Sequence, residues 1–426
     1  MKNSSDLKST FKSSKVYLII IISISLALVS FSDNINRSEI DIAVGKESFS
    51  IFWWEVKHLP SKWAHLLWEN FPGNRPTHEK RIEILEKYLE TVNKLTLEET
   101  RLKVLKSTVT SHDQAVKKQL VENLIDEITY LKQLRESYRG RAEETVEATI
   151  SLVANQQNLG LFKGLLFPPT DFHFDEPPHI LIISPRSKIE LKQSKLISPT
   201  VTDIVKSKIE SGVEKDGTNS ALVDSLAGLG TYPAFVTDRD GLYNLMLTAA
   251  HEWLHNYWFF KPLGRNMWNS SQMYTLNETA ADIAGTEIGQ QAFELIVGDS
   301  SRDAPYNSQD LKSHPHLRTI LKETRNKVDI LLENGQIDQA EKYMREQRWR
   351  LKLGGYNIRK LNQAYYAFRG KYADGPASIS PIGEELKEYR SYFSNTGAFV
   401  RSISRMRTYE HFQEELRRLR NLVESG

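Results

Sequence analysis

The chain has 426 residues, 40% of them hydrophobic and 26% charged, which is the composition of a folded globular protein long enough for two or three structural units. A formal net charge of +2 supplies no overall pull toward nucleic acid, and nucleic acid is not an expected partner. There are no cysteines, so disulfides, thiolate metal sites and cysteine nucleophiles are all excluded. Any metal site must be built from His, Asp and Glu.

Lys2, Lys8, Lys12 and Lys15 precede an apolar run from Val16 to Phe31. A basic flank before such a run fits a signal peptide or short signal anchor, with the N-terminus cytoplasmic and the remainder carried across the membrane. Cleavage after Ser32 lacks an Ala-x-Ala site, so the run reads as an uncleaved anchor within residues 1–35. The expected location is a single-pass membrane protein with its main domain outside the cytoplasm. Residues 36–75 hold four of the eight tryptophans, between Phe49 and Phe71, mixed with Lys and His. That mixture suits a membrane interface or packing against the folded domain.

Residues 76–165 carry apolar side chains at helical spacing: Ile82, Leu85, Leu89, Val92, Leu95, then Val116, Leu120, Leu124, Ile128, Leu131. They predict an antiparallel helical hairpin. The chain changes character at Leu166, where paired prolines bracket a loop before His179–Ile183, a β-branched run that predicts a strand. A second strand is expected at Tyr232–Val236 and a helix from about Asp240 through His255. Beyond residue 300 the pattern is again helical, with amphipathic segments at 317–350 and 355–372.

The helix expected after Asp240 contains His251-Glu252-Trp253-Leu254-His255. Residues four apart share a helix face, so both imidazoles can reach one ion. Glu252 is turned by about 100° from His251 and can address a water beside that ion as a general base. Downstream, Asn277-Glu278-Thr279-Ala280-Ala281-Asp282-Ile283-Ala284-Gly285 places Glu278 and Asp282 on one face of a second helix. Two His and one Glu form a known catalytic zinc ligand set, and a carboxylate near a ligating His can fix its tautomer.

The two segments together resemble the gluzincin zinc peptidases, specifically the thermolysin-like pattern H-E-x-x-H followed by N-E-x-x-x-D-I-x-G. The resemblance covers roughly residues 230–290 and implies Zn2+ on His251, His255 and Glu278, with Glu252 activating water. It implies that Asp282 orients a ligating histidine, that Asn277 matches the family's Asn, and that Gly230–Val236, with Tyr232 and Ala234, is an edge strand receiving an extended peptide. The aminopeptidase Gly-Ala-Met-Glu-Asn sequence is absent, as are counterparts of thermolysin's downstream histidine segment and calcium loops.

For the donor that stabilises an oxyanion, Tyr365 or Tyr366 is the candidate, with Arg369 as a contact to a substrate carboxylate or a structural residue. His314 and His316 rank lower. The expected architecture is α+β and mostly helical: a zincin-like domain at 166–300 with a small edge-strand sheet, completed by a C-terminal helical region at 301–426. The expected activity is hydrolysis of peptide or protein substrates by a membrane-anchored zinc metallopeptidase. Hydrolysis of non-peptide or cell-wall amides at the same site is the alternative, and a catalytically silent membrane scaffold is the reading of a different class.

Overall fold

The computed structural model describes residues 39–51, 53–54, 77–107, 114–161, 165–298, 315–372 and 377–425. The apolar run at 16–31, most of the tryptophan-rich segment and His314 lie outside them. Among the described residues no helix is long and apolar enough to cross a membrane. The structure is mostly helical with two small sheets, and so of the α+β class.

Helices α1 (Glu39–Val44), α2 (His78–Ser107) and α3 (Gln114–Gln156) come first. α2 and α3 pack on each other through Leu95, Leu124, Ile128 and Leu131, whereas Val116 and Leu120 are exposed. The far half of α3 contributes Ala142, Val146, Ile150 and Val153 to the largest core, which also takes in the helices that follow.

The first sheet has the order β1-β6-β5, formed by β1 (Phe172–Phe174), β5 (Gly228–Leu229) and β6 (Ala234–Val236). β6 pairs parallel with β1 on one side and antiparallel with β5 on the other. The expected edge strand around Ala234 is therefore the central strand, and Tyr232 is buried just before it. Sequence cannot show this, because β1 lies about sixty positions upstream and strand neighbours are set by pairing across the fold. The outer edge of β1 is not open. Its alternate amides at Phe172 and Phe174 donate to the Glu147 and Glu143 carboxylates of α3, at 2.9 and 2.8 Å. Covering an edge in this way removes a site for unwanted strand pairing and leaves β5 as the edge strand on the other side. On the face of β6 turned from the main core, Phe235 packs against the rings of Phe49, Trp54 and His173. Packing is thus the part played by Phe49 and Trp54, while Trp53 is exposed.

The second sheet is antiparallel, β3-β2-β4, from β2 (His179–Pro185), β3 (Gln193–Ile197) and β4 (Asn219–Ser225). Alternate residues point to opposite faces of a strand. Leu181, Ile183, Ala221 and Val223 meet α4 (Asp203–Val213) on one face. Ile182 and Leu222 meet Ala364 and Phe368 of a later helix on the other. Both faces are covered, which explains why β2 reads as a continuous apolar run.

α5 (Gly241–Phe259) follows β6, and after the short α6 (Pro262–Arg265) comes α7 (Ser271–Val297). α8 (Pro315–Glu333) and α9 (Ile337–Leu353) form a helical pair. The continuous segment expected at 317–350 is interrupted at Gly335, whose φ of +72° favours glycine. α10 (Gln363–Arg369) covers β2, and α11 (Ile382–Ser391), α12 (Thr396–Ile403) and α13 (Tyr409–Glu424) close over α7.

One buried ion pair joins the hairpin to the turn before α5. Asp238, only 1% exposed, accepts from Arg135 Nε at 2.8 Å and from the Tyr88 hydroxyl at 2.5 Å. Arg135 also donates to the Phe174 carbonyl at 3.0 Å. Removing the arginine strands a buried carboxylate, so Arg135→Met is expected to cost about 3–5 kcal/mol in urea unfolding. A loss under about 1 kcal/mol would show that Asp238 is held without it.

Candidate metal centre

α5 and α7 lie side by side because small residues line their contact. A Cβ on Gly285 would fall 2.9 Å from both Cα and N of His251, and one on Gly289 would fall 2.6 Å from Cα of Leu247. The matched order of these contacts, 285 with 251 and 289 with 247, makes the helices antiparallel. Ala249, Ala250, Ala280, Ala281 and Ala284 are fully buried around the contact. Ser270 caps α7 by accepting from the Met273 amide at 3.1 Å. Asp240 occupies the corresponding position on α5 but makes no side-chain cap bond.

This packing brings His251, His255 and Glu278 together, with one ligand atom from each lying within 4.8 Å of the others. The two Nε2 atoms are 3.0 Å apart, and Glu278 Oε2 is 3.6 Å from that of His251 and 3.7 Å from that of His255. The other ring nitrogens are occupied. His251 Nδ1 faces Asp282 Oδ1 at 3.1 Å, and His255 Nδ1 faces Asn277 Oδ1 at 2.9 Å. An acceptor at each Nδ1 requires a proton there, which leaves each neutral ring a lone pair at Nε2. Two lone pairs and a carboxylate oxygen then converge with no hydrogen between them. That arrangement repels itself unless a cation sits among the three atoms, so the group could hold a metal ion.

The electrostatics agree. Burial would raise the Glu278 carboxyl, yet His255 and His251 hold it well below the usual carboxylate range. Burial opposes charge on His251, but Asp282 and Glu278 outweigh it and raise that imidazole well above its ordinary value. Without a metal, a proton on His251 is the cation that reconciles the three atoms. Glu252 is buried beside them, and desolvation lifts its carboxyl against the pull of both histidines.

The chain returning from β5 lies against Glu252. A Cβ on Gly228 would meet Glu252 Oε1 at 2.3 Å, and one on Gly230 would meet His255 Cβ at 3.1 Å. These glycines are needed for close approach of backbone to the carboxylate. Asn256 holds the same turn by donating to the Thr231 carbonyl at 3.0 Å.

The downstream tyrosines sort differently from expectation. Tyr366 is buried between α8 and α9 and donates to the Leu321 carbonyl at 3.2 Å. Tyr365 packs in the same region and under the second sheet. Neither is brought to the three ligand residues. Arg369 is paired with Asp224 on β4, Nε to Oδ2 at 2.7 Å. The phenols at the centre are Tyr274 and Tyr372. Tyr274 lies beside Glu278 and Tyr372, and Tyr372 feels the charges of Glu278, Asp282 and Glu252. Lys371 sits over the Tyr274 ring at 4.3 Å, and burial lowers its ammonium to about 8. Tyr274 carried a readable signal, since it stands four residues before Glu278 on one face of α7. Lys371 and Tyr372 had none beyond their place in an aromatic segment.

Comparison with known protein families, curated proteins and solved structures finds no match to this chain.

His255→Ala and Glu278→Ala are expected to abolish metal retention, measured as metal per chain after dialysis. Gly285→Ala, which wedges the two helices apart, is expected to weaken affinity while leaving every ligand in place. Unchanged affinity in Gly285→Ala would separate the metal from the helix contact. Since a metal must displace the His251 proton, its apparent affinity is expected to go on rising with pH above 6.5, the ordinary histidine value. Affinity constant from pH 6.5 to 8 would mean that His251 is already neutral.

Proposed function

We propose that the protein is a zinc-dependent metallopeptidase, tethered to a membrane through residues 16–31. The observation that carries this reading is the convergence of three ligand atoms beside a buried carboxylate and an edge strand. Zinc takes nitrogen and oxygen ligands at about 2.0–2.2 Å in tetrahedral arrangement, which puts ligand atoms about 3.3–3.6 Å from one another. The separations of 3.0, 3.6 and 3.7 Å bracket that value. Three protein ligands also suit a catalytic site, which keeps a position for water, better than a structural one closed by four.

Zinc held there would supply a Lewis acid that polarises a carbonyl and lowers the pKa of water toward neutrality. The rest belongs to the chain. Glu252, raised above its ordinary value by burial, takes the proton of the attacking water and hands it to the leaving amine. Asp282 and Asn277 keep His251 and His255 in the required tautomer and orientation. Tyr372 is the phenol available to donate to the developing oxyanion. A peptide in extended form is supported as substrate by β5, an edge strand whose Gly228 brings backbone hydrogen-bonding groups against Glu252.

Glu252→Gln is expected to retain zinc at the wild-type ratio and lose hydrolysis of a peptide library by roughly 10²–10⁴-fold. Tyr372→Phe should lower kcat by roughly 10²-fold with little change in KM. Undiminished turnover in zinc-loaded Glu252→Gln would refute the assignment of the base.

A further inference from the structure

A second cleft, sharing no residue with the metal centre, opens where α9 meets the ends of β2 and β4. Its volume is about 420 Å³, in the range of small-molecule sites. Five cations line it: Arg186, Arg345, Arg348, Arg359 and Lys360. Three of them have their own carboxylates. Arg186 Nε lies 2.7 Å from Glu341 Oε1, Arg359 is bound to the buried Glu210, and Lys360 Nζ lies 2.8 Å from Glu214 Oε1. Arg345 and Arg348 have no carboxylate within ion-pair distance among the described residues. Among the described residues Arg348 spends only Nε, on the Ile358 carbonyl at 2.9 Å, which leaves its two terminal nitrogens without a partner there. These two arginines are three apart on α9 and so share a helix face.

The cleft wall also holds an orphaned acceptor. Gln363 is fully buried, and its Oε1 has no hydrogen-bond partner. Exchanging the amide oxygen and nitrogen does not relieve this. Nε2 donates to the Arg186 carbonyl at 2.8 Å and faces Glu341 Oε1 at 3.3 Å, and an oxygen in its place would confront two acceptors.

We propose that this cleft binds a phosphate monoester, with the phosphate on Arg345 and Arg348 and a hydroxyl of the esterified group donating to Gln363 Oε1. Neither guanidinium has a carboxylate within ion-pair distance among the described residues, and their planar donor forks match phosphate oxygens. A buried acceptor without a donor costs free energy that a ligand hydroxyl would recover.

The test is calorimetric titration of the full chain, stripped of metal with a chelator so that the first centre cannot hold phosphate. The probes are glycerol 3-phosphate, inorganic phosphate and glycerol. Glycerol 3-phosphate is expected to bind one per chain, more tightly than inorganic phosphate, with no detectable binding of glycerol. Arg345→Ala and Arg348→Ala should each weaken it roughly tenfold or more. Arg350→Ala, exposed on the same helix and outside the cleft, should leave it unchanged. No binding, binding insensitive to Arg348→Ala, or equal weakening in Arg350→Ala would overturn the site. Inorganic phosphate binding as tightly as the ester would remove the role given to Gln363.

Discussion

The close contact of α5 with α7 is the constraint on which the centre depends. His251 and His255 ride on one helix, Glu278, Asn277 and Asp282 on the other, and among the described residues no third element joins the three-residue cluster. Helices usually pack 8–10 Å apart, at a distance decided by the side chains between them. Here glycine and alanine decide it, and the absent Cβ atoms at 285 and 289 set the distance from imidazole to carboxylate. The surrounding elements support that contact. α3 packs beneath it through the main core, α11 to α13 cover α7, and Arg390 ties α11 to Glu287 of α7 at 2.8 Å.

Charge at the centre is arranged in the same economical manner. Glu278 and Asn277 are buried, and the two imidazoles and Asp282 are half-buried, in surroundings where uncompensated charge is costly. Each outer partner engages the nitrogen that a metal does not use, so the lone pairs turn inward together. Glu278 is shifted downward and Glu252 upward, so the histidines favour the anion of one nearby glutamate while burial favours the neutral form of the other.

What could be read in the sequence was local. His251, Glu252 and His255, and separately Asn277, Glu278 and Asp282, lie within a turn or two of helix, where spacing alone fixes which side chains share a face. The strand at His179–Ile183 was legible for a similar reason, as a run of β-branched residues. The order of the first sheet was not. β1 and β5 have three and two residues, too short for periodicity, and the pairing that puts β6 between them joins distant segments. Where each tyrosine lies was hidden on the same ground. Tyr366 and Tyr372 are six positions apart in one aromatic stretch, and only the end of α10 determines that the chain turns Tyr372 toward Glu278. The two guanidiniums left over on α9 could be recognised only after the other cations of the cleft had found their carboxylates.

The packing of α5 and α7 also limits where this protein can change over evolutionary time. Ten of the 19 residues of α5 are buried, and its remaining chemical positions are His251 and His255. Drift there is nearly closed off, since a larger side chain moves a ligand and a smaller one opens a void. The edge strand β5 and the stretch around Lys371 and Tyr372 approach the centre without holding its ligands, apart from the glycines that clear Glu252. Substitutions can therefore accumulate in those two segments while His251, His255 and Glu278 stay as they are, so the cluster and its approaches can diverge at separate rates.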